Sequence, residues 1–402
     1  MISRFLYYST EDRVLRILQI TKYYYPSVSF GGPVQCTRNI SKRLLRNGHE
    51  VTVYTTDACD ISSNTRIKEG SALIDGVRIF YFHNILKTKG FFISPGIVPV
   101  LRKNAENFDI VHLHEYRTFQ NLVFKYLRRR NVPYVLSLHG ELEFRQEPSD
   151  TAFLRKQFDR ALGRRLLKDA SKILALTQFE AEQLARRGIG KEKISIVPNA
   201  IDPEDFSNLP EKGYFRRKFR LKNEKIVLYV GRICEMKGLD SLIRAFSLLE
   251  IQGNLKLVLA GPDVGIKRSL QKLASSLNLG DRILFTGGLN RTQVLAAFND
   301  ATVTVYASAQ EGFPIVPLES GIMGKPVIVS RHPSMSFVKR GEFGLAVDYG
   351  DIAQLKEALE RVLTDEELAL RLSENGKRFV LSNYTWNKIA TDVESIYREI
   401  AG

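Results

Sequence analysis

The feature that most constrains this chain is an alternation, sustained almost from end to end, of short apolar runs with longer amphipathic stretches. A strand covered by helices on both faces reads as a continuous apolar run, and amphipathic helices supply the crossovers between parallel strands. In the first half the runs are VLRILQI (14 to 20), VTVYTT (51 to 56), VRIFYF (77 to 82), DIVHLH (109 to 114), PYVLSLH (133 to 139), KILALT (172 to 177) and KISIVP (193 to 198). Helical patterns lie between several of them, for example 33 to 47, opened by Pro33 in the first turn and closed by Gly48. After a polar, basic segment at 202 to 224 the pattern restarts with KIVLYVG (225 to 231), LKLVLAG (255 to 261), RILFTG (282 to 287), TVTVYAS (302 to 308) and KPVIVS (325 to 330). At 402 residues the chain exceeds what one core organises. The expected fold class is α/β, with two doubly wound Rossmann-like domains facing a central cleft. Their expected bounds are 1–200 and 201–380, with a C-terminal helix in 381–402, Trp386 near its start, packing back towards the first domain.

Composition excludes several classes. Hydrophobic residues at 44% and charged residues at 26% leave no room for long disorder. The three cysteines, Cys36, Cys59 and Cys234, form no CxxC pair and have no histidine cluster beside them, so they read as reduced thiols of a cytosolic protein. The opening MISRFLYYSTEDR lacks the apolar core of a signal peptide. The most apolar window, GFFISPGIVPVL (90 to 101), carries two prolines and falls short of the ~20 residues that span a bilayer. The net charge of +15 is uneven: residues 1 to 200 hold 32 Lys and Arg against 19 Asp and Glu, the remainder 27 against 25. The basic first half points to a polyanionic partner or an anionic membrane surface.

In such sheets ligands bind beyond the carboxyl ends of the strands, so the motifs there matter most. The first strand runs into TKYYYPSVSFGGPVQCTRNI, where Gly31 and Gly32 precede a helix; this is either an ordinary turn or a close backbone approach to an anion. It is not GxGxxG, and no GxxxxGK[ST] occurs, so NAD and ATP P-loop readings lose their support. The second domain opens YVGRICEMKGLDSLIRAF, with Arg232 and Lys237 on the loop feeding a helix. Two cations there suit a diphosphate, though solvated surface charge fits either alone. In ASAQEGFPIVPLESGIMGKPVIVS, Glu311 and Glu319 flank a Gly312-Phe313-Pro314 turn, with Glu319 one to two turns into a helix. A carboxylate so placed can accept from a ribose diol and the other from sugar hydroxyls; a helix-start acid explains either singly but not both.

Taken together, these stretches, with FDIVHLH, YVLSLHG, IVPNAID, LVLAGPD and ILFTGGL, resemble the retaining glycosyltransferase group 1 family in order and spacing. The resemblance implies the GT-B fold and a nucleoside-diphosphate sugar as co-substrate. It places Glu311 on donor-sugar hydroxyls, Glu319 on the ribose, and Arg232 and Lys237 on the diphosphate. Gly31 and Gly32 match the glycine pair that faces diphosphate and acceptor, and backbone groups of Gly312, Phe313, Pro314, Ile315 and Val316 line the sugar pocket. His139 matches a histidine near the sugar, beside its alternative as a histidine satisfied at a strand end. The catalytic set is then Arg232, Lys237, Glu311 and His139. Asn199 and Asp202 mark the hinge side. Two departures stand out: Glu235 sits one position early, before Met236, and Pro314 replaces a frequent glycine.

The resemblance implies retention of anomeric configuration. With no obvious nucleophilic carboxylate, a front-side route is expected, the leaving diphosphate taking the acceptor proton while Arg232 and Lys237 hold its charge. A double displacement is the alternative. No DxD motif occurs, so no metal and no cofactor are expected. The acceptor expected is a glycan or a lipid-linked glycan, met by a cytoplasmic enzyme held peripherally on the inner face of the cell membrane. The basic clusters FKYLRRR (124 to 130) and LRKQFDRALGRRLLK (154 to 168) are the candidate membrane surface, although Leu154, Phe158, Ala161 and Leu162 also fit a buried stripe with a solvated face. A nucleotide-sugar epimerase of related architecture is the nearest rival. A nucleic-acid-binding protein is a weaker one, since no such module is present and no nucleic acid partner is expected.

Overall fold

The computed structural model describes residues 13–27, 31–59, 65–88, 91–142, 149–251 and 254–402. The signal-peptide expectation, drawn on the first residues, lies almost wholly outside them. The chain divides into two compact units, Met1–Asn199 with Trp386–Gly402, and Ala200–Thr385. The break between Asn199 and Ala200 falls within the PNAID stretch, and the final helix begins at Trp386.

The first unit is built on an eight-stranded sheet. Its strands are β1 (Arg16–Ile20), β2 (Glu50–Thr56), β3 (Gly70–Ile74), β4 (Val77–Phe82), β7 (Ile110–His114), β8 (Tyr134–Ser137), β9 (Lys172–Ala175) and β10 (Ile194–Ile196). A separate hairpin pairs β5 (Leu86–Thr88) with β6 (Phe91–Ile93). The sheet order is β10-β9-β8-β7-β1-β2-β4-β3, parallel except that β3 runs antiparallel to β4 at the edge. Central strands are buried along their length, as in the run Ile110 to His114, because helices cover both faces. Leu18, Ile20, Val111, Leu113, Leu136 and Ile173 belong to one core cluster and are fully buried. Each contributes about 1.5–3 kcal/mol by leaving water. The helix Trp386–Ala401 completes this unit: Trp386, Ile389, Val393 and Tyr397 are buried, and Asn387 and Glu394 bond Arg43 (2.5 Å) and His49 (3.1 Å).

The second unit has six parallel strands, β11 (Lys225–Val230), β12 (Leu255–Ala260), β13 (Ile283–Gly287), β14 (Val303–Tyr306), β15 (Val327–Ser330) and β16 (Gly344–Val347), in the order β13-β12-β11-β14-β15-β16. This is a doubly wound sheet whose order reverses between β11 and β14. The first unit reverses between β1 and β7.

Every run named from the sequence contains a strand. Four strands lie outside those runs: β3, β5, β6 and β16. β3 is an edge strand exposed or half-buried throughout, so it carries no apolar run, and only its Asp75-Gly76 turn into β4, both residues at positive φ, announces it. Among the described residues no helix is long and apolar enough to cross a membrane. In the window 90 to 101 the described residues form β6 and the start of the helix Ile97–Asn104.

Candidate active site

In the second unit, the loops leaving β11 and β14 flank the switch point and carry Arg232, Lys237 and Glu311. Their backbones are laced together: Met236 O accepts from the Ala309 amide (2.8 Å) and from Ser308 Oγ (3.0 Å). Gly238 closes the short 3-10 turn Glu235–Lys237 at φ +62° and caps the helix Leu239–Ser247. A Cβ there would lie 2.7 Å from Ala307 O, so both conformation and space require glycine. The turn directs Lys237 inward. Its ammonium is buried, ion-paired with Glu311, 3.0 Å from Tyr306 Oη and 4.9 Å from the centre of that ring. Tyr306 stacks on Tyr229 at 6.2 Å, and Tyr229 Oη donates to Arg232 O at 2.7 Å, fixing the backbone that presents Arg232. Arg232 itself is exposed, and its charge acts on both phenols.

After Glu311 the chain turns through Gly312, Phe313 and Pro314 into the helix Val316–Ile322. Phe313 is buried against Phe337 (4.7 Å, stacked) and Tyr384 (5.6 Å), so its side chain anchors the turn from behind. Glu319 lies in the first helical turn, buried and ion-paired with Arg291. Burial pushes its carboxyl above the usual range, and the Arg291 charge opposes that shift. Arg291 also lies over the Phe206 ring (4.9 Å) and 3.9 Å from Asp205.

In the first unit, Gly31 has φ +80° and precedes the helix Gly32–Arg46; a Cβ on it would meet nothing within 4 Å, so conformation alone selects glycine there. On Gly32 a Cβ would lie 3.9 Å from Asn199 Nδ2. His139 follows β8 at φ +54°, an uncommon conformation for a non-glycine residue. Its Nε2 is 2.9 Å from His114 Nδ1, and His114 Nε2 is 2.5 Å from Gln19 Oε1. Gln19 Oε1 can only accept, so His114 carries its proton on Nε2, and His139 must donate from Nε2 and keep Nδ1 free of a proton. The chain of bonds continues from Gln19 Nε2 to Tyr397 Oη (3.4 Å), His112 Nδ1 (2.5 Å), and from His112 Nε2 to Ser137 Oγ (2.7 Å). Burial holds all three imidazoles neutral, with His112 pushed down to about 3, His139 to about 4 and His114 well below its ordinary value. Beside them, at the switch point of this sheet, Lys22 after β1 is buried between Glu115 (3.4 Å) and Glu141 (3.3 Å).

The structure thus brings Lys237 and Glu311 into contact and fixes Arg232 beside them; Glu319 follows on the helix that leaves the same turn. Residues 212–379 match the family described as glycosyl transferases group 1, and residues 30–205 match glycosyltransferase family 4. The chain belongs to the group 1 glycosyltransferases. An uncharacterized glycosyltransferase of Methanocaldococcus jannaschii is 27% identical over 96% of this chain and 98% of its own. The D-inositol 3-phosphate glycosyltransferase of Corynebacterium efficiens is 24% identical over 89% of this chain and 87% of its own. Among solved structures, a sucrose-phosphate synthase of Thermosynechococcus elongatus aligns with a TM-score of 0.75 at 24% identity, covering 96% and 99% of the two chains. Anabaena HepE in complex with UDP-glucose aligns at 0.75 and 19% identity, covering 96% and 100%. These two share the fold.

Three residues at this glycosyltransferase's sites escape sequence reasoning. Arg291, partner of Glu319, sits in LNRTQ, where only the Asn290–Gln293 capping box stands out. Tyr306 reads as the last residue of a buried strand, yet its hydroxyl meets Lys237. His332 follows β15 and feels the Glu311 charge, but nothing in SRHPSM marks it.

Proposed function

We propose that this glycosyltransferase moves a hexose-class sugar from a nucleoside-diphosphate sugar to a lipid-linked or cell-surface glycan acceptor, with retention of anomeric configuration and without a divalent metal. The observation that carries the reading is the buried Lys237–Glu311 pair at the switch point of the second sheet, with Arg232 exposed beside it. An ammonium has three protons; Glu311 and Tyr306 engage two, leaving one for a phosphate oxygen. The exposed Arg232 fork takes the same diphosphate. Glu311 binds Lys237 through Oε1 and offers its other oxygen to sugar hydroxyls. Glu319 is oriented through Oε1 by Arg291, and its second oxygen accepts from the ribose diol. Backbone groups from Gly312 to Val316 line the sugar, and the family resemblance assigns Gly31 and Gly32 to the diphosphate and acceptor. His139, neutral near pH 7, acts on the sugar as a hydrogen-bonding group through Nδ1.

In the reaction, the bond from the anomeric carbon to the diphosphate oxygen breaks as the acceptor oxygen bonds on the same face, and the acceptor proton passes to the departing diphosphate. Arg232 and Lys237 stabilise the charge on that leaving group, an effect of about 10²–10³ in rate per preorganised donor. The enzyme works in the cytoplasm, peripherally on the inner face of the cell membrane, supported by the concentration of positive charge in residues 1 to 200.

The test has two stages. Thermal stabilisation by UDP, GDP, ADP and their sugar conjugates identifies the donor, because a ligand bound only to the native state raises stability with occupancy. Transfer is then followed by diphosphate release and by the anomeric configuration of the product, with and without excess EDTA. Stabilisation by one donor series, acceptor-dependent release, retained configuration and indifference to EDTA are expected. Release of an altered free sugar without acceptor would establish the epimerase instead, and loss on chelation restored by magnesium would overturn the metal-free part.

A further inference from the structure

The basic sequence LRKQFDRALGRRLLK has a place in the first unit that neither the donor site nor the fold requires. It forms one wall of a cavity of about 950 Å³, closed by Tyr116 and Arg117 after β7 and by Arg186 and Arg187 at the end of the helix Gln178–Arg186. Seven of its twelve lining residues are Lys or Arg, against 59 in the whole chain of 402, and Asp159 is the one carboxylate among them. Asp159 is already neutralised: Arg117 grips both its oxygens, at 3.0 and 2.8 Å. Lys156, Arg160, Arg164, Arg186 and Arg187 make no ion pair among the described residues. The end of a helix favours Arg186 by its dipole, but that argument does not reach Arg160 or Arg164.

The floor of the cavity is tied together by hydrogen bonds. The helix between Ser149 and Asp169 opens into a π-turn at Asp159–Gly163, the local irregularity that often marks a site. Gly163 leaves room there for the Tyr116 hydroxyl, which a Cβ would meet at 2.1 Å. The same floor leads to His139. Arg117 Nη1 donates to Glu141 O (2.8 Å), the Tyr116 and Arg117 amides donate to Glu141 Oε2 (2.7 and 2.8 Å), and the charge of Glu141 acts on His139, two residues before it. The expected buried stripe is present in part: Phe158 and Leu162 pack on the core, while Ala161 is exposed.

We propose that this cavity binds a diphosphate, or two closely spaced phosphates, carried by the acceptor, which names the acceptor class within the function proposed above and rests on it. Unpaired cations in a concave site repel one another, and an anion of matching charge relieves that repulsion; guanidinium forks are suited to phosphate oxygens. Five unpaired cations exceed what one phosphate neutralises, and the volume exceeds one phosphate group. The diphosphate is either borne by a lipid or attached to a soluble glycan.

The test is calorimetric titration of the full chain with inorganic pyrophosphate and with orthophosphate. The Lys237→Ala variant weakens the competing donor site, and the Arg160→Glu/Arg187→Glu variant offsets much of the cavity's charge. Pyrophosphate should still bind Lys237→Ala, with affinity at least about tenfold above orthophosphate, and at least about tenfold weaker in the double variant, since charge-assisted contacts dominate. The double variant should bind nucleoside diphosphate normally, which separates failure of this inference from failure of the donor site and confirms the fold; Lys156→Gln/Arg164→Gln serves if the charge reversals misfold. Vesicles doped with farnesyl diphosphate, matched in charge by vesicles of phosphatidylglycerol, separate the sources: preference for the former assigns a lipid-borne diphosphate, and equal retention with pyrophosphate binding intact assigns a soluble one. Pyrophosphate binding that vanishes in Lys237→Ala, or is unchanged in Arg160→Glu/Arg187→Glu, overturns the proposal.

Discussion

Arg232 and Lys237, the two cations proposed to hold the diphosphate, are differently situated, and their substitutions should differ accordingly. Arg232 is exposed, so Arg232→Ala should leave the melting temperature unchanged while turnover falls about 10²–10³-fold. Lys237 is buried against Glu311 and Tyr306, so Lys237→Ala strands a carboxylate and should lower both turnover and stability, the latter by about 3 kcal/mol. Thermal melts beside initial rates check both, and a stable Lys237→Ala would contradict the buried pairing. His139 contributes to the pH dependence alongside His112 and His114. The His139 imidazole is pushed from 6.5 to about 4 by burial, so between these values the native state binds fewer protons than the unfolded one and stability falls as pH falls. The contribution is about 3 kcal/mol at most. Glu180, pushed up from 4.5 to about 7 by burial, acts oppositely, stabilising at low pH and losing that contribution as pH rises through 7. His139→Asn, which tolerates the positive φ, should therefore lose less stability than wild type between pH 6.5 and 4, and an unchanged profile would contradict a neutral His139. At this scale the acids and cations of the loops after β11 and β14 are legible in the sequence, because spacing from a strand end fixes them. Arg291 and Tyr306 are not, because each reaches its partner from a different element.

The elements are more legible than the residues they bring together. A parallel strand buried on both faces must be a continuous apolar run, which is why β1, β7, β11 and β14 stand out and why β3, exposed at an edge, does not. Turn geometry is less visible: GRICEMKG shows two glycines, but only the structure shows that Gly238 lies against Ala307 O and thereby laces the β11 loop to the β14 loop. Gly238→Ala should cost about 2 kcal/mol through its left-handed backbone and the close approach. It should also weaken nucleotide binding by displacing Lys237. A variant of wild-type stability and affinity, measured by denaturant melts and nucleotide titration, would show that the loops are not held this way.

For the molecule as a whole, the uneven charge is the sequence property with the widest reach. Part of it is neutralised locally: Arg128 pairs with Asp169 (3.0 Å) and Arg130 with Glu106 (2.8 Å). Arg129, Lys125 and Arg165 line a further basic recess of about 510 Å³ with Arg128. Clustered cations contribute about 1 kcal/mol each near an anionic bilayer, screened by salt. Co-sedimentation with anionic vesicles should accordingly weaken as ionic strength rises and weaken further in an Arg128, Arg129, Arg130 triple-alanine variant; indifference to lipid charge and salt would favour a soluble acceptor. The central claim, that the loops after β11 and β14 bind a nucleotide sugar with divided labour, is tested most directly by titrating Glu311→Ala and Glu319→Ala with a nucleoside diphosphate and with its sugar conjugate. Glu319→Ala should weaken both ligands alike, because both contain the ribose, whereas Glu311→Ala should weaken the conjugate and spare the diphosphate. Greater loss of diphosphate binding in Glu311→Ala than in Glu319→Ala would contradict the assignment.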